Sequence, residues 1–132
     1  MSVIAILGSG VAVAASRPHS ATCKLTAAAP TEANNHITGN GSIRCNTSRT
    51  VHVHIETQIL QLGQWGTLGS FDDPYLQVQA GKTHHVSTGP TNCRGLGNAT
   101  MRTVLRLVSL RNFRRVLVSV HSGTVQISCS GH

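Results

Sequence analysis

The stretch TVHVHIETQIL, residues 50–60, alternates apolar and polar side chains without a break. Successive side chains of a β-strand point to opposite faces, so this period of two predicts a strand with one buried face. The predicted buried face comprises Val51, Val53, Ile55, Thr57 and Ile59. The opposite face, which we expect to be solvated, comprises His52, His54, Glu56 and Gln58.

The same period of two recurs along the chain, at Ile43–Cys45, Leu76–Ala80 and Val125–Cys129. Residues 101–110 also fit one helical face, but their valine and threonine content favours a strand. Glycine and proline clusters are predicted to separate the strands at 39–41, 63–69, 72–74, 81 and 89–97. The pattern predicts an all-β protein, an antiparallel β-sandwich of immunoglobulin-like size with about seven or eight short strands.

Four cysteines lie far apart in the sequence, and four cysteines allow three pairings. They are Cys23, Cys45, Cys93 and Cys129. Hairpin geometry favours pairing the first two, because the midpoint of their loop falls at the turn-forming Asn34 and Asn35. It favours pairing the last two, because their midpoint at residue 111 interrupts two runs rich in valine and leucine. Two disulfides are therefore predicted.

The first sixteen residues, MSVIAILGSGVAVAAS, are mostly apolar and end in small residues. They fit a secretory signal peptide over residues 1–15, although no lysine or arginine precedes the apolar run. This run is too short to span a bilayer. We expect a flexible segment over 16–22, a single β-sandwich domain over 23–132, and a secreted or cell-envelope location.

Residues 38–68, TGNGSIRCNTSRTVHVHIETQILQLGQWGTL, combine a glycine-flanked strand ending in cysteine, a long alternating strand and a Gly-x-Trp entry into the next strand. In this order of elements the chain resembles small, disulfide-containing secreted β proteins of actinobacteria over about residues 36–71. The resemblance implies a fold and an extracellular location, and implies no activity.

Catalytic chemistry has little support in the sequence. The only acidic residues are Glu32, Glu56, Asp72 and Asp73. The last two precede Pro74 in FDDPY, which reads as a turn, whereas glycoside hydrolysis needs two carboxyls that face each other across a sugar. No nucleophile elbow, phosphate-binding loop or dinucleotide fingerprint occurs. We therefore predict a non-enzymatic protein without a cofactor.

His52 and His54 are the weak candidates for a metal site. They share a strand face about 7 Å apart, close enough to bind one metal ion if a third ligand arrives. His84 and His85 are adjacent and face opposite ways, so only one of them could join. A solvated strand face is the preferred interpretation, and no metal site is predicted. A zinc-dependent enzyme that uses the His-x-His strand is a second alternative function.

The net charge of +7 lies entirely in the second half of the chain, because residues 74–132 hold seven basic residues and no acidic one. A predicted anion-binding hairpin contains Arg102, Arg106, Arg111, Arg114 and Arg115. Its expected partners are acidic polysaccharide, an anionic envelope polymer or lipid headgroups. Nucleic acid is disfavoured, because few aromatic residues are available to stack on bases.

Two other interpretations of the second half stay open. Arginine-rich composition also arises from GC-rich coding and keeps a secreted protein soluble without any binding role. The loop at 89–98, GPTNCRGLGN, could instead bind another protein, as in a secreted inhibitor or effector, with Cys93 fixing Arg94 for presentation.

Overall fold

The computed structural model describes residues 22–108 and 116–130. In this part of the chain there are nine strands and no helix. They are β1 (Cys23–Ala33), β2 (His36–Cys45), β3 (Arg49–Gln61), β4 (Gln64–Val78), β5 (Thr83–Ser87), β6 (Thr91–Asn92), β7 (Gly97–Val108), β8 (Val116–His121) and β9 (Val125–Cys129). No helix of this part has the length and apolar character needed to cross a membrane.

The strands form two antiparallel sheets that pack face to face, which confirms the predicted all-β sandwich. One sheet has the order β1-β2-β5, and β6 pairs with β2 further along the same strand. The other has the order β4-β3-β7-β8, and β9 pairs with β7 beyond the end of β8. Strand β3, which contains the alternating stretch, therefore lies in the interior of the five-stranded sheet between β4 and β7.

Two glycines predicted to break the chain at 39–41 lie inside β2 instead. A Cβ atom at Gly39 would lie 2.7 Å from Thr57 Cγ2, and one at Gly41 would lie 2.7 Å from the Thr26 carbonyl oxygen. Both distances are shorter than real Cβ contacts. These glycines therefore allow close approach of neighbouring backbone and side chains, a tertiary requirement that a turn signal cannot reveal.

Gly63, the first residue of the cluster at 63–69, lies in the turn between β3 and β4, whereas the rest of this cluster and the cluster at 72–74 lie inside β4. The predicted turn FDDPY is thus a segment of β4. An edge strand tolerates Pro74, because its missing N–H leaves no ladder bond unmade. The β3–β4 register shifts between Val51 and Val53, opposite this segment, and such irregularities discourage pairing with another chain.

The interior contains two apolar clusters between the sheets. The larger comprises Leu25, Ile43, Cys45, Val51, Val53, Ile55, Val78, Val86, Leu105 and Leu107. The smaller comprises Ile37, Ile59, Cys93, Met101, Ile127 and Cys129. Every residue of the predicted buried face of β3 is buried, so the period of two identified the core side of this strand correctly.

Both predicted disulfides are confirmed. Cys23 bonds to Cys45 across the β1–β2 pair, and Cys93 bonds to Cys129. The first closes a hairpin whose turn is Asn34 and Asn35. In the chain-entropy description, a disulfide that closes a loop of this size stabilises the folded state by roughly 3–4 kcal/mol.

The predicted signal peptide at 1–15 lies outside the described residues, as does most of the segment predicted to be flexible at 16–22. Thr22 is described, and its backbone exchanges two hydrogen bonds with Asn46. The Asn46 N–H donates to the Thr22 carbonyl at 3.0 Å, and the Thr22 N–H donates to Asn46 Oδ1 at 2.8 Å.

Candidate functional site

The solvent side of the five-stranded sheet, which we call the outer face, carries the polar side chains of β3 and their cross-strand neighbours. Register places His54 opposite Asp72 on β4 and Arg106 on β7. It also places Gln58 opposite Arg102. Cross-strand neighbours lie close enough for their side chains to interact. The outer face therefore brings together polar and charged side chains from β3, β4 and β7.

Glu56 lies at the centre of the outer face and is only 6% exposed. Its carboxylate accepts hydrogen bonds from Gln58 Nε2 at 2.6 Å, Thr67 Oγ1 at 2.9 Å and Arg106 Nη1 at 2.9 Å. Gln58 is also buried, at 7%. The expectation that these two β3 residues are solvated is therefore wrong, because side chains from β4 and β7 cover them.

Burial by itself raises the pKa of Glu56, since it disfavours the charged carboxylate. Hydrogen bonds from Gln58, Thr67 and Arg106, together with the Arg106 charge, outweigh burial. They lower the pKa of Glu56 from 4.5 to about 2. The buried carboxylate is therefore ionised at neutral pH and neutralised by Arg106.

Asp72 joins both histidines at the next position along the face. His52 Nε2 lies 3.0 Å from each Asp72 carboxylate oxygen, and His54 Nδ1 lies 3.2 Å from Oδ1. Partial burial raises the pKa of Asp72, but the hydrogen bonds and charges of His52 and His54 hold it below its ordinary value of 3.8. Asp73 takes no part, because its Oδ1 accepts the Tyr75 N–H instead.

His54 bridges the two carboxylates, since its Nε2 lies 3.0 Å from Glu56 Oε1. The two ring nitrogens of His54 therefore link Asp72 on β4 to Glu56 on β3. We refer to the set His52, His54, Glu56, Asp72 and Arg106 as the Glu56 network. Its side chains satisfy one another within the sheet.

The weak metal candidates His52 and His54 are thus both engaged with carboxylates. Among the described residues, no group of three or more histidine, cysteine, aspartate or glutamate side chains is arranged to hold a metal ion. Of the other histidine pair, His84 Nε2 accepts the Gln79 N–H at 3.1 Å in the four-stranded sheet. That pair therefore lies on the other sheet.

A second cluster lies further along β7, towards the β3–β4 turn. Arg102 Nε donates to Gln58 Oε1 at 2.8 Å, and its guanidinium carbon lies 4.1 Å from the centroid of the Trp65 ring. We call Gln58, Trp65 and Arg102 the Trp65 platform. Within residues 22–108 and 116–130, no carboxylate forms an ion pair with Arg102 and no acceptor bonds to its Nη1 or Nη2.

Two of the five predicted anion-binding arginines can therefore be placed. Arg102 and Arg106 share one face of β7, as the period of two requires, about 13 Å apart along the strand. The charge of Arg106 is compensated by Glu56, whereas Arg102 has no described acidic partner. The other three, Arg111, Arg114 and Arg115, lie outside the described residues.

Sequence reasoning missed the roles of Trp65, Asp72 and Thr67. The strand period placed His52, His54, Glu56 and Gln58 on one face correctly. Their partners on β4 and β7 depend on the register of those strands, and β4 carries two register shifts relative to β3. No local pattern in the sequence fixes such shifts.

Comparison with known proteins gives no assignment: no protein-family model matches this chain, and no curated protein sequence matches it. The outer face is therefore the feature of this protein from which a function can be inferred.

Proposed function

We propose that this protein is an exported, non-enzymatic binding module that contacts anionic groups through the Trp65 platform. The observation that carries the proposal is that the Arg102 side chain is held in place while its charge has no described acidic partner. Trp65 and Gln58 hold its guanidinium in one orientation, and no described carboxylate compensates its charge. A guanidinium held in this way presents paired N–H donors to a carboxylate, sulfate or phosphate.

Pre-organisation separates Arg102 from an ordinary surface arginine. A free arginine side chain loses considerable rotamer entropy when it binds. At Arg102 this loss has already occurred in the folded protein, because the ring contact and the Nε hydrogen bond fix the side chain. More of the electrostatic interaction is then available for binding.

The charge distribution supports an anionic partner. Residues 74–132 carry all of the net charge of +7, and they include Arg111, Arg114 and Arg115. A surface with this balance attracts polyanions by long-range electrostatics. The contribution of these three arginines to the contact stays a prediction from sequence.

Export is supported by the covalent chemistry of the domain. Its two disulfides join all four cysteines of the chain. Disulfides of this kind persist in oxidising compartments and are rare in the cytosol. Intact-mass spectrometry of the exported protein, before and after reduction, would count the disulfides and locate the mature amino terminus.

The test compares three variants that each remove one positive charge, Arg102→Gln, Arg106→Gln and Arg44→Gln. Arg44 is exposed on β2 in the other sheet and serves as the control. Each oxidised protein is eluted from immobilised heparin, a sulfated and carboxylated polysaccharide, with a salt gradient. We expect Arg102→Gln to elute at clearly lower salt than Arg44→Gln.

We expect Arg106→Gln to elute close to the Arg44→Gln control, because the Arg106 charge is already compensated by Glu56. Equal elution of Arg102→Gln and Arg44→Gln would show that the platform is not the contact site. A triple variant at Arg111, Arg114 and Arg115 measures the part that the predicted basic hairpin contributes.

The loop at 89–98 gives the second candidate function, a protein-binding module such as an inhibitor or effector. Its backbone is held by the Cys93–Cys129 disulfide and by hydrogen bonds from Cys93 N to Asn35 O at 2.8 Å and from Gly95 N to Ser130 O at 3.0 Å. Leu96 remains 37% exposed on this fixed loop. Salt separates the candidates, because polyanion binding weakens steeply with ionic strength whereas an apolar loop contact tolerates it.

A further inference from the structure

The turn between β3 and β4 exposes an apolar tip, which adjoins the Trp65 platform and shares Trp65 with it. Leu62 is 102% exposed, and Leu60 is 36% exposed. Leu60 is the cross-strand partner of Trp65, so these two side chains lie next to each other on the outer face directly behind the turn. We call Leu60, Leu62 and Trp65 the apolar tip.

Leu62 is unfavourable for the fold on two counts. Its φ is +52°, in the left-handed region that leucine rarely adopts, and its side chain packs against nothing. The β1–β2 turn adopts nearly the same backbone, with φ values of +51° and +64°, and uses Asn34 and Asn35 there. Asparagine tolerates this conformation, so folding alone does not account for a leucine at position 62.

The β3–β4 hairpin carries no uncompensated negative charge near the tip. Residues 57–71 contain no charged residue at all. The flanking carboxylates, Glu56 and Asp72, are engaged by Arg106, His52 and His54. The charge nearest to Trp65 is therefore the guanidinium of Arg102, which has no described acidic partner.

The size and chemistry of the tip favour a lipid surface over a folded protein. Two leucines and one tryptophan provide much less area than the roughly 1,000 Å² that a stable protein interface needs. A bilayer requires no matching shape. Leucine favours the acyl region, tryptophan the headgroup level, and arginine the lipid phosphate.

We propose that the apolar tip inserts into the surface of an anionic lipid bilayer while Arg102 binds a lipid phosphate. The proposal rests on the proposed function, because Arg102 is the same anion contact. It identifies the anionic partner as a membrane surface and gives Leu62 the role of anchor.

The test uses vesicles of phosphatidylglycerol mixed with phosphatidylcholine, and vesicles of phosphatidylcholine alone. Trp65 is the only tryptophan of the chain, so tryptophan fluorescence, excited selectively over Tyr75, reports on the tip alone. We expect the oxidised wild-type protein to sediment with the anionic vesicles. Its emission should shift to shorter wavelength and be quenched by lipids brominated on the acyl chains.

Leu62→Asn is the decisive variant, because asparagine suits the turn and the protein should fold. Loss of one inserted leucine is expected to weaken binding to anionic vesicles roughly 10-fold or more. Its elution from immobilised heparin should stay unchanged. Tyr75→Asn removes another exposed apolar side chain of β4, 72% exposed, and serves as a control that should bind like the wild type.

The outcomes separate the two proposals. Retention on heparin without vesicle binding would leave the proposed function standing and overturn the lipid anchor. Failure to bind either probe would overturn both. Vesicle binding that Leu62→Asn does not weaken, or that leaves Trp65 unquenched, would show a purely electrostatic contact and contradict insertion. A dimer in sedimentation experiments that Leu62→Asn dissociates would instead identify a second copy of the chain as the occupant.

Discussion

The two ends of the outer face carry similar residue types but differ in how their charges are compensated. In the Glu56 network, Arg106 meets a buried carboxylate and both histidines meet Asp72. In the Trp65 platform, Arg102 meets an aromatic ring and an uncharged amide. The network satisfies its own hydrogen bonds, whereas the platform leaves the terminal nitrogens of Arg102 without described partners. Two similar arginines on one strand therefore differ in their partners, and we propose that they differ in role, Arg106 in stability and Arg102 in binding.

Gln58 connects the two ends, because its amide donates to Glu56 Oε2 and accepts from Arg102 Nε. The Glu56 network therefore orients the residue that orients Arg102. A substitution in the network should mainly lower the free energy of unfolding. It should shift the Arg102 side chain to a smaller extent. Replacing Arg102 should leave the ion pairs of the network intact.

The largest expected effect comes from removing the charge at the centre of the network. Glu56→Gln removes the ionic partner of Arg106 at a 6% exposed position. We expect the free energy of unfolding to fall by about 2–3 kcal/mol. Urea denaturation measures this. Glu32→Gln is the matched control, because Glu32 is exposed, and a change there of more than about 0.5 kcal/mol would make the comparison uninformative.

Acid should reproduce part of this loss in the wild type. The pKa of Glu56 is about 2 in the folded protein against 4.5 unperturbed, so the unfolded state binds more protons between these values. The contribution of Glu56 is complete above pH 4.5 and is lost as the pH falls towards 2. Denaturation at a series of pH values should show a slope in this range that Glu56→Gln reduces. An unchanged slope in the variant would assign it to other carboxylates.

The two arginines should differ in their effects on stability. Arg106→Gln leaves a buried carboxylate without its cation and should lower the free energy of unfolding by about 1–2 kcal/mol. Arg102→Gln removes a cation–π contact and a hydrogen bond on the surface and should cost about 0.5–1 kcal/mol. Thermal or urea unfolding of both variants would rank them. The reverse order would place Arg102 in the stabilising role.

The smallest expected effect concerns the two hairpin turns, which share a backbone conformation. Leu62→Asn should raise the free energy of unfolding by about 0.5–1 kcal/mol, because it relieves the cost of a left-handed leucine. Asn34→Leu should lower it by a similar amount. Urea unfolding of the two variants tests both signs. A destabilised Leu62→Asn would show that Leu62 contributes to folding, which weakens the case for it as an anchor.

The sequence by itself determined the fold class and the inward face of β3, and it favoured the disulfide pairing that the structure shows. These features follow from local rules: side chains alternate along a strand, and the midpoint of a hairpin marks its turn. The pairing of Cys23 with Cys45 could be found because Asn34 and Asn35 lie midway between them. The shared face of Arg102 and Arg106 followed from the same alternation.

Only the tertiary structure decided which polar residues are buried and which charges are compensated. Glu56 and Gln58 read as solvated from their own strand, and their burial depends on side chains of β4 and β7. Gly39 and Gly41 read as a turn, and their place inside β2 depends on the close approach of its neighbours. Register and sheet packing arise from contacts between distant segments, so no window of sequence contains them.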